Sequence, residues 1–427
     1  MTSRLTPARR VALATVRRVT EDDAYADRAF RAEADRDALD PRERSFAQAL
    51  AYGAIQRRRT LDAVLERVSS RPLGEVDSEV LDALRVGAVQ LIHMDGVPVR
   101  AAVDQTVESV PRKASGFVNA VMRRAAREGP GIAAALPQDT PEAAAVAHSH
   151  PDWIARMWWD QFGREEALAL MRADNEPAES ALRVNTLKAD PAAVAAQLAE
   201  EGVDPKPVPG LAEALVLGMP WDAHGSQLFA GGALTPQSRG SMGVARAVDP
   251  QPGERVLDLC AAPGGKATHL AALMEGEGSV TAVERSPARA RELDQNRRRL
   301  GAGAVHVIEA DARTFEDPEP FDRVLLDPPC SALGTLQARP DARWRRDPAA
   351  VGELAGIQAA MLARAAALTR VGGLLVYSTC TISPRENEEV IQGLLGRDLA
   401  WALEAERATF PSRDGTDGFY VACLRNN

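Results

Sequence analysis

The sequence predicts an all-α N-terminal domain, then a small α+β subdomain, then a C-terminal α/β domain with a mostly parallel sheet. Apolar residues recur at helical spacing through residues 6–125, and residues 181–217 show two short strands around one helix. From Gly253 onward apolar strands alternate with helices, which is typical of parallel sheets with helices on both faces. We set the domain boundaries at 1–130, 131–245 and 246–427.

Composition agrees with a folded chain of two or three domains. The protein has 427 residues, of which 45% are hydrophobic and 26% charged, values that are ordinary for globular proteins. We see no apolar run long enough to span a bilayer and no secretory signal, so we expect no membrane partner, a cytoplasmic location and a monomer. The net charge of −9 argues mildly against nucleic acid, but residues 1–130 carry 22 basic and 19 acidic side chains.

The helical domain and its boundary follow from local signals. Residues Val80 to Leu91 place an apolar stripe on one helical face, and Asp40-Pro41 is typical of a helix start. Residues 129–141 have the Gly- and Pro-rich composition of a linker, and a Trp-rich helix follows at 153–172.

The C-terminal two thirds alternate strands and helices. In the small subdomain we expect strands at 181–187 and 214–217 around a helix at 191–201. In the α/β domain we expect helices at 266–274 and 287–300, among others. The strands of that domain are predicted at 255–259, 279–283, 305–309, 323–327 and 373–378. Ligands in such sheets bind at the carboxyl ends of the strands, so residues at those ends are the candidates for function.

A glycine-rich loop follows the first strand of the α/β domain and opens a helix. Its residues are Cys260, Ala261, Ala262, Pro263, Gly264, Gly265 and Lys266. Glycines allow a close approach of the backbone, and the free N–H groups of a helix N-terminus can hold a carboxylate or a phosphate. The loop matches neither dinucleotide nor P-loop spacing, and a merely tight turn is the alternative.

Two acidic residues follow at the next strand ends. Glu284 can accept hydrogen bonds from a ribose diol, and Asp311 can accept from an adenine amino group. Either alone could simply cap the next helix. Together with the loop they predict a nucleoside site, and an adenosine that carries a carboxylate indicates S-adenosylmethionine.

Two of the four cysteines lie at the same predicted sheet edge. Cys330 ends the turn that begins with Asp327 and two prolines, and Cys380 follows the fifth strand. The other two, Cys260 and Cys423, are interpreted as packing residues, and the spacing of all four predicts no metal site. Buried structural cysteines are the alternative for the pair, but their position at the ligand edge favours chemistry.

The pair suits methylation of a pyrimidine ring carbon. Carbon 5 of cytosine becomes nucleophilic once a thiolate has added to carbon 6. A carboxylic acid near ring nitrogen 3, for which Asp327 is the candidate, would stabilise the charge that develops. A base must then take the carbon-5 proton so that the thiolate can leave. Nothing in the sequence shows what lowers the pKa of the attacking thiol.

These motifs resemble the Nop2/Sun/Fmu family of RNA (cytosine-5)-methyltransferases. The matching stretches lie within residues 181–427 and read ALRVNTLK, LDLCAAPGGKATHL, LLDPPCSALGT, YSTCTISPRENEEV and GTDGFYVACLR. The resemblance implies a Rossmann-like methyltransferase domain with a seven-stranded sheet and S-adenosylmethionine as cofactor. It also implies that Cys380 is the nucleophile and that Cys330 helps to release the product.

The N-terminal domain resembles the NusB-like RNA-binding domain. A NusB-like domain joined to this catalytic unit is the arrangement of bacterial family members that modify 16S ribosomal RNA, met as naked or early-assembly RNA. One departure lies before the cofactor loop, where the family has V-Q-D-x-A-S and this chain has Pro236-Gln237-Ser238-Arg239-Gly240-Ser241, without the aspartate.

Four residues are candidates for RNA contacts, because guanidinium and aromatic groups bind phosphates and unstacked bases. They are Arg183, Lys188, Trp344 and Arg345. Two other functions stay open: methylation of transfer RNA at the same ring carbon, and RNA binding without catalysis. Methylation of a protein side chain is a third and weaker alternative.

Overall fold

The computed structural model describes residues 5–218 and 221–427. The chain divides into two compact units. One runs as far as Pro177 and also includes Leu336–Arg345, and the other comprises Ala178–Thr335 and Arg346–Asn427. The finer division at residues 130 and 245 stays a prediction.

The first unit is built of helices. They are α1 (Pro7–Thr20), α2 (Ala26–Arg36), α3 (Pro41–Gln56), α4 (Arg58–Val68), α5 (Ser78–Ile92), α6 (Val99–Glu108), α7 (Arg112–Ala134), α8 (Pro141–Ala147), α9 (Asp152–Ala173) and α15 (Ala342–Arg345). The Asp40 side chain accepts a hydrogen bond from the backbone N–H of Glu43, which begins α3 where the sequence predicts a helix start. The stripe on α5 is buried, with Val80, Leu84 and Val89 in the core of this unit.

The prediction of a linker at 129–141 is wrong for residues 129–134. Helix α7 continues through Gly129 and Pro130 and ends at Ala134. Two packing contacts explain this. Ile132 packs against the core, and a Cβ on Gly129 would lie 3.2 Å from Ile92, so the helix lies close against α5 there. Tertiary packing therefore outweighs the unfavourable helix propensity of glycine and proline.

The segment Leu336–Arg345 packs inside the helical unit, although its sequence follows the Cys330 motif. Arg343 is fully buried, and its guanidinium donates to the carbonyls of Gln56, Ser149 and Asp174 and to Oδ1 of Asn175. Carbonyls are the acceptors that a buried guanidinium needs when no carboxylate pairs with it. Arg343 therefore anchors the segment in this unit.

The second unit begins with a small antiparallel sheet in the order β2-β3-β1-β4. Its elements are β1 (Ser180–Val184), α10 (Pro191–Glu200), β2 (Pro205–Val208), β3 (Leu211–Leu217), α11 (Gln227–Ala230) and β4 (Leu234–Pro236). Alternate residues of β1 and β3, such as Leu182 and Leu215, pack with Val194 and Leu198 of α10. Helix α12 (Arg239–Val248) then leads into the larger sheet.

The larger sheet has seven strands in the order β10-β11-β9-β8-β5-β6-β7. Its strands are β5 (Arg255–Asp258), β6 (Ser279–Glu284), β7 (Val305–Glu309), β8 (Phe321–Leu326), β9 (Thr369–Thr379), β10 (Trp401–Ala408) and β11 (Tyr420–Asn426). Its helices are α13 (Gly265–Leu273), α14 (Pro287–Leu300), α16 (Pro348–Leu368), α17 (Glu388–Leu395) and α18 (Pro411–Asp414). Strands β5 to β9 pair in parallel, whereas β10 and β11 are antiparallel. This confirms the predicted fold class.

Helix α16 has the length and apolar composition of a membrane-spanning helix, so the expectation that no segment qualifies is wrong on those two criteria. Its apolar side chains have a place in this fold, however. Met361, Leu362 and Ala365 are buried in the core beside β8 and β9. Helix α16 is thus a core helix on one face of the large sheet.

Candidate active site

The two predicted catalytic cysteines lie side by side. Strands β8 and β9 are neighbours and pair Leu326 with Tyr377, so the loops that follow them share one edge of the sheet. The Sγ atoms of Cys330 and Cys380 are 3.2 Å apart, and neither forms a disulfide within the part of the chain that the structure describes. Cys330 is buried and Cys380 is partly accessible. Cys380 is therefore the more accessible of the two residues.

Backbone contacts hold the two cysteine loops together. Gly334 donates its N–H to the carbonyl of Cys380 at 3.0 Å, and its carbonyl accepts the N–H of Gly418 at 2.7 Å. A Cβ on Gly334 would lie 2.0 Å from the Gly418 carbonyl oxygen, so only glycine fits here. The distance between the sulfurs is thus fixed by backbone and not by side-chain rotamers alone.

A partly buried ion pair lies beside the cysteines. Lys266, the last residue of the predicted cofactor loop, donates to Asp327 Oδ2 at 2.6 Å, and Ser378 donates to Oδ1 at 3.1 Å. Burial would lower the pKa of Lys266, but attraction to Asp327, and more weakly to Cys380 and Asp258, outweighs it and raises the pKa. Lys266 therefore stays a cation next to Cys380, a role beyond the cofactor contact that the sequence predicted.

The environment of Cys330 favours the neutral thiol. The hydrogen bond with Cys380 and burial raise the pKa of Cys330 well above its usual range, and the nearby charges of Glu386 and Asp327 add to this. Two sulfurs at 3.2 Å cannot both carry a negative charge. Of the two residues, Cys380 is therefore the one with the Lys266 cation nearby and the greater accessibility, whereas the surroundings of Cys330 favour the neutral thiol.

The cofactor loop joins β5 to α13, as predicted. Its carbonyls are held from α14, where Arg289 donates to the carbonyl of Ala262 and Asn296 to that of Pro263. Gly264 has φ 105°, and a Cβ there would lie 2.5 Å from the Leu293 side chain, so the loop requires glycine. The backbone N–H groups that open α13 are thus available to an anionic group.

Two polar atoms without partners support an S-adenosylmethionine site here. Oδ2 of Asp258 and Oε1 of Gln237 are buried, and neither has a hydrogen-bond partner within residues 5–218 and 221–427. Gln237 Oε1 is 3.8 Å from the position of a Cβ on Gly265, beside the N-terminus of α13. The cofactor carries a carboxylate that suits helix N–H groups and an ammonium that suits such acceptors. The site therefore fits the cofactor, and sequence reasoning had not identified Gln237 or Asp258.

Glu284 and Asp311 lie along the same edge as the loop. Strand β6 lies between β5 and β7, and Glu284 pairs with Glu309 two residues before Asp311. Glu284 is buried and accepts from the N–H of Ser286 at 2.8 Å. Asp311 is held by Arg313, whose Nη2 is 2.6 Å from Oδ2. Both carboxylates therefore offer hydrogen-bond acceptors at this edge, as a ribose diol and an adenine amino group would need.

The missing aspartate before the loop has a local replacement. Ser238 occupies its place, and its hydroxyl caps α12 by accepting the N–H of Ser241. Gln237 next to it is unchanged from the family pattern. The helix start therefore persists without the aspartate.

The RNA-contact prediction is wrong for Arg183. Its side chain is 1% exposed and donates to Thr268 on α13 at 2.9 Å, and burial lowers its pKa to about 9. Lys188 is exposed, and its ammonium donates to the carbonyls of Gly231 and Arg299, where it stabilises the C-terminal end of α14. Arg183 thus packs against α13, and of these two residues Lys188 is the one that lies at the surface.

The structure also contradicts the prediction that Trp344 and Arg345 contact RNA. Trp344 donates its indole N–H to the carbonyl of Ile55 and packs against the core of the helical unit. Arg345 pairs with Asp341 and donates to the carbonyls of Asp23 and Ala24. Both side chains are occupied within the first unit, so the basic aromatic run does not form a free RNA-binding platform.

The free energy of unfolding should change with pH because of the raised pKa of Asp258. Burial raises its pKa from 3.8 to about 7, although the charge of Lys266 opposes the shift. A carboxyl whose pKa is raised on folding favours the folded state at low pH, and that contribution is lost as pH rises through about 7. Asp258→Asn should therefore stabilise the cofactor-free protein more at pH 8 than at pH 5, measured by urea unfolding. An equal effect at both pH values would contradict this.

Three family models match the chain. The NusB family matches residues 6–127, the ferredoxin-like domain of RsmF/B-like methyltransferases matches residues 150–224, and 16S rRNA methyltransferase RsmB/F matches residues 245–425. Together they follow the predicted order of an all-α domain, a small mixed domain and a methyltransferase domain.

Relatives resemble the chain over its whole length. A probable ribosomal RNA small subunit methyltransferase B of Bacillus subtilis is 34% identical, covering 98% of this chain and 99% of its own. The crystal structure of PH0851 has a TM-score of 0.82 at 26% identity, covering 99% of both chains. NSun6 from Pyrococcus horikoshii, solved with the cofactor analogue SFG, has a TM-score of 0.61 at 25% identity, covering 65% of this chain and 98% of its own. The chain belongs to the RsmB/F family of 16S rRNA methyltransferases, and its cofactor is S-adenosylmethionine.

Proposed function

We propose that this protein makes 5-methylcytosine in 16S ribosomal RNA through a covalent bond between Cys380 and carbon 6 of the base. The observation that carries the proposal is the pair of sulfurs 3.2 Å apart at the cofactor edge of the sheet, beside the Lys266–Asp327 ion pair. An enzyme that methylates an exocyclic amine or a hydroxyl has no use for a second thiol at this position.

The first step is addition of the Cys380 thiolate to carbon 6. The sulfur forms a bond to carbon 6, and the π electrons of the carbon 5–carbon 6 double bond shift through carbon 4 toward nitrogen 3. Lys266 supports this step twice. Its charge stabilises the thiolate beforehand. Asp327, the residue predicted to stabilise the charge at nitrogen 3, instead pairs with Lys266 at 2.6 Å, so the N–H groups of Lys266 can donate to the ring as that charge develops.

Carbon 5 is then nucleophilic, and the bound cofactor supplies a methyl group on a sulfonium centre. The groups that would hold the cofactor are the helix N–H groups after Gly264, the carboxylates Glu284 and Asp311, and the acceptors Gln237 and Asp258. They would hold the cofactor in one orientation, and such orientation provides much of the rate enhancement in transfer between two bound molecules.

Release restores the aromatic ring. A base takes the carbon-5 proton, the electron pair of that C–H bond re-forms the double bond, and the Cys380 sulfur leaves as a thiolate. Cys330 lies against that sulfur and, as a neutral thiol, can donate a hydrogen bond to the negative charge that returns to it. This geometry suits Cys330 to assist release.

The substrate must present an unstacked cytosine, because the ring carbons are hidden inside a helix. We propose that the NusB-like unit contributes to RNA binding and that the substrate is naked or early-assembly 16S ribosomal RNA in the cytoplasm. The family match over residues 245–425 and the NusB match over residues 6–127 support that choice over transfer RNA.

A labelling experiment tests the product and the substrate class. The protein is incubated with radiolabelled S-adenosylmethionine and either protein-free 16S ribosomal RNA or transfer RNA, and the RNA is digested to nucleosides. We expect label in 5-methylcytidine from ribosomal RNA, and none with Cys380→Ala. Label in transfer RNA alone would overturn the substrate, and label in any other nucleoside would overturn the reaction.

Removing Cys330 should trap the covalent intermediate. Cys330→Ala leaves the Cys380 nucleophile in place but slows its departure, so a protein–RNA complex that resists denaturant should accumulate when cofactor and RNA are present. The measurement is a denaturing gel, with Cys330→Ala/Cys380→Ala as the matched control. If the single variant is inactive and forms no complex, the assignment of the two sulfurs is wrong.

A further inference from the structure

A fully buried carboxylate lies behind the Cys330 loop. Glu386 ends a short 3-10 turn, Pro384–Glu386, that follows β9, and its relative exposure is 0%. Among the residues that the structure describes, no lysine, arginine or histidine forms an ion pair with it. Burying a carboxylate without a cation is costly unless hydrogen bonds replace its water. Such a group calls for an explanation beyond packing.

The hydrogen bonds of Glu386 converge on the residue after Cys330. Oε1 accepts the backbone N–H of Ser331 at 2.8 Å, and Oε2 accepts the Ser331 hydroxyl at 2.5 Å. Both carboxylate oxygens thus bind one residue in a bidentate manner. Bonds to an ionised acceptor are shorter and roughly twice as strong as neutral ones.

Gln358 links the Glu386 carboxylate to the residue before Cys330. Its Nε2 donates to Glu386 Oε1 at 3.0 Å and to the carbonyl of Pro329 at 2.9 Å. Gln358 lies on the core helix α16 and is fully buried. The residues before and after Cys330 are therefore both tied, directly or through one amide, to the same carboxylate.

The loop needs such support because its backbone is strained. Ala332, the second residue after Cys330, has φ 61°, a left-handed conformation that alanine rarely adopts. Strained residues of this kind persist only where the surroundings fix them. The carbonyl of Ala332 accepts the N–H and the hydroxyl of Thr335. The residue before it, Ser331, is held by Glu386 and by the Thr381 hydroxyl, the latter at 2.7 Å.

Glu386 is itself anchored to the strand that carries Cys380. Its backbone carbonyl accepts the hydroxyl of Tyr377, on β9, at 2.6 Å. The neighbouring Asn387 donates to the Thr381 carbonyl at 3.0 Å. The short turn therefore connects the Cys380 strand rigidly to the Cys330 loop.

We propose that Glu386 is a positioning residue that holds the Cys330 sulfur against the Cys380 sulfur for product release. The inference rests on the proposed function, because it concerns the release step of that reaction. Glu386 touches neither base nor cofactor, so it acts only through the Pro329–Ser331 turn. Its negative charge also disfavours a thiolate at Cys330.

The test is Glu386→Gln, which keeps the shape but replaces charge-assisted bonds by neutral ones. We expect turnover to fall about tenfold with an unchanged KM for RNA, the size of effect that weakening one such bond gives. We also expect the denaturant-resistant protein–RNA complex to accumulate, as in Cys330→Ala. The matched control is Glu389→Gln, the same change at an exposed position nearby, which should behave like the parent protein.

The outcomes separate this proposal from the one on which it rests. If Cys330→Ala accumulates the complex and a folded Glu386→Gln does not, the positioning role is wrong and the reaction stands. If neither variant accumulates it, both proposals fall. A Glu386 with a merely structural role would lower protein yield and thermal stability without trapping RNA, which would also overturn the inference.

A second variant covers the case in which Glu386→Gln does not fold. Ser331→Ala removes one of the two bonds to the carboxylate and only a hydroxyl from the core. It should trap the complex to a smaller extent, with a smaller loss of turnover. A folded Ser331→Ala with parent-like turnover and no trapped complex would overturn the proposal on its own.

Discussion

The proposed chemistry depends on electrostatic repulsion between two neighbouring sulfurs, because a thiolate at one of them opposes a thiolate at the other. With Sγ atoms 3.2 Å apart, ionisation of one thiol strongly opposes ionisation of the other. The surroundings decide which one ionises. Lys266 is near Cys380, whereas burial and the charges of Glu386 and Asp327 surround Cys330. In the proposed reaction, this difference makes Cys380 the nucleophile and leaves Cys330 a neutral thiol.

The parallel sheet makes this arrangement possible. Cys330 and Cys380 are 50 residues apart, but β8 and β9 are adjacent, so the loops after them meet at one edge. The same edge carries the cofactor loop after β5 and the acids after β6 and β7. Lys266 belongs to the cofactor loop and yet pairs with Asp327 of the cysteine loop. In the proposed function, one residue would therefore serve both cofactor binding and thiolate stabilisation.

Sequence patterns predicted what depends on local periodicity and strand ends. The fold class, the cofactor loop and the cysteine pair follow from strand and helix alternation together with residue types at the strand ends. Features that depend on tertiary packing could not be predicted from the sequence. Arg183 and Trp344 have the composition of RNA contacts, but one is buried behind α13 and the other packs in the helical core. Helix α7 passes through Pro130 because of contacts made elsewhere. Glu386 is one acid among several in its segment, and only its burial distinguishes it.

The most direct test of the account is to find which sulfur is the thiolate. The cofactor-free protein is treated briefly with iodoacetamide at neutral pH, and peptide mass spectrometry gives the modification rate at each cysteine. Cys423, half-buried and with a pKa raised by burial, is the internal reference. We predict that Cys380 reacts first and that Lys266→Met slows its modification about tenfold. Faster modification of Cys330, or a Cys380 rate that does not depend on Lys266, would contradict it.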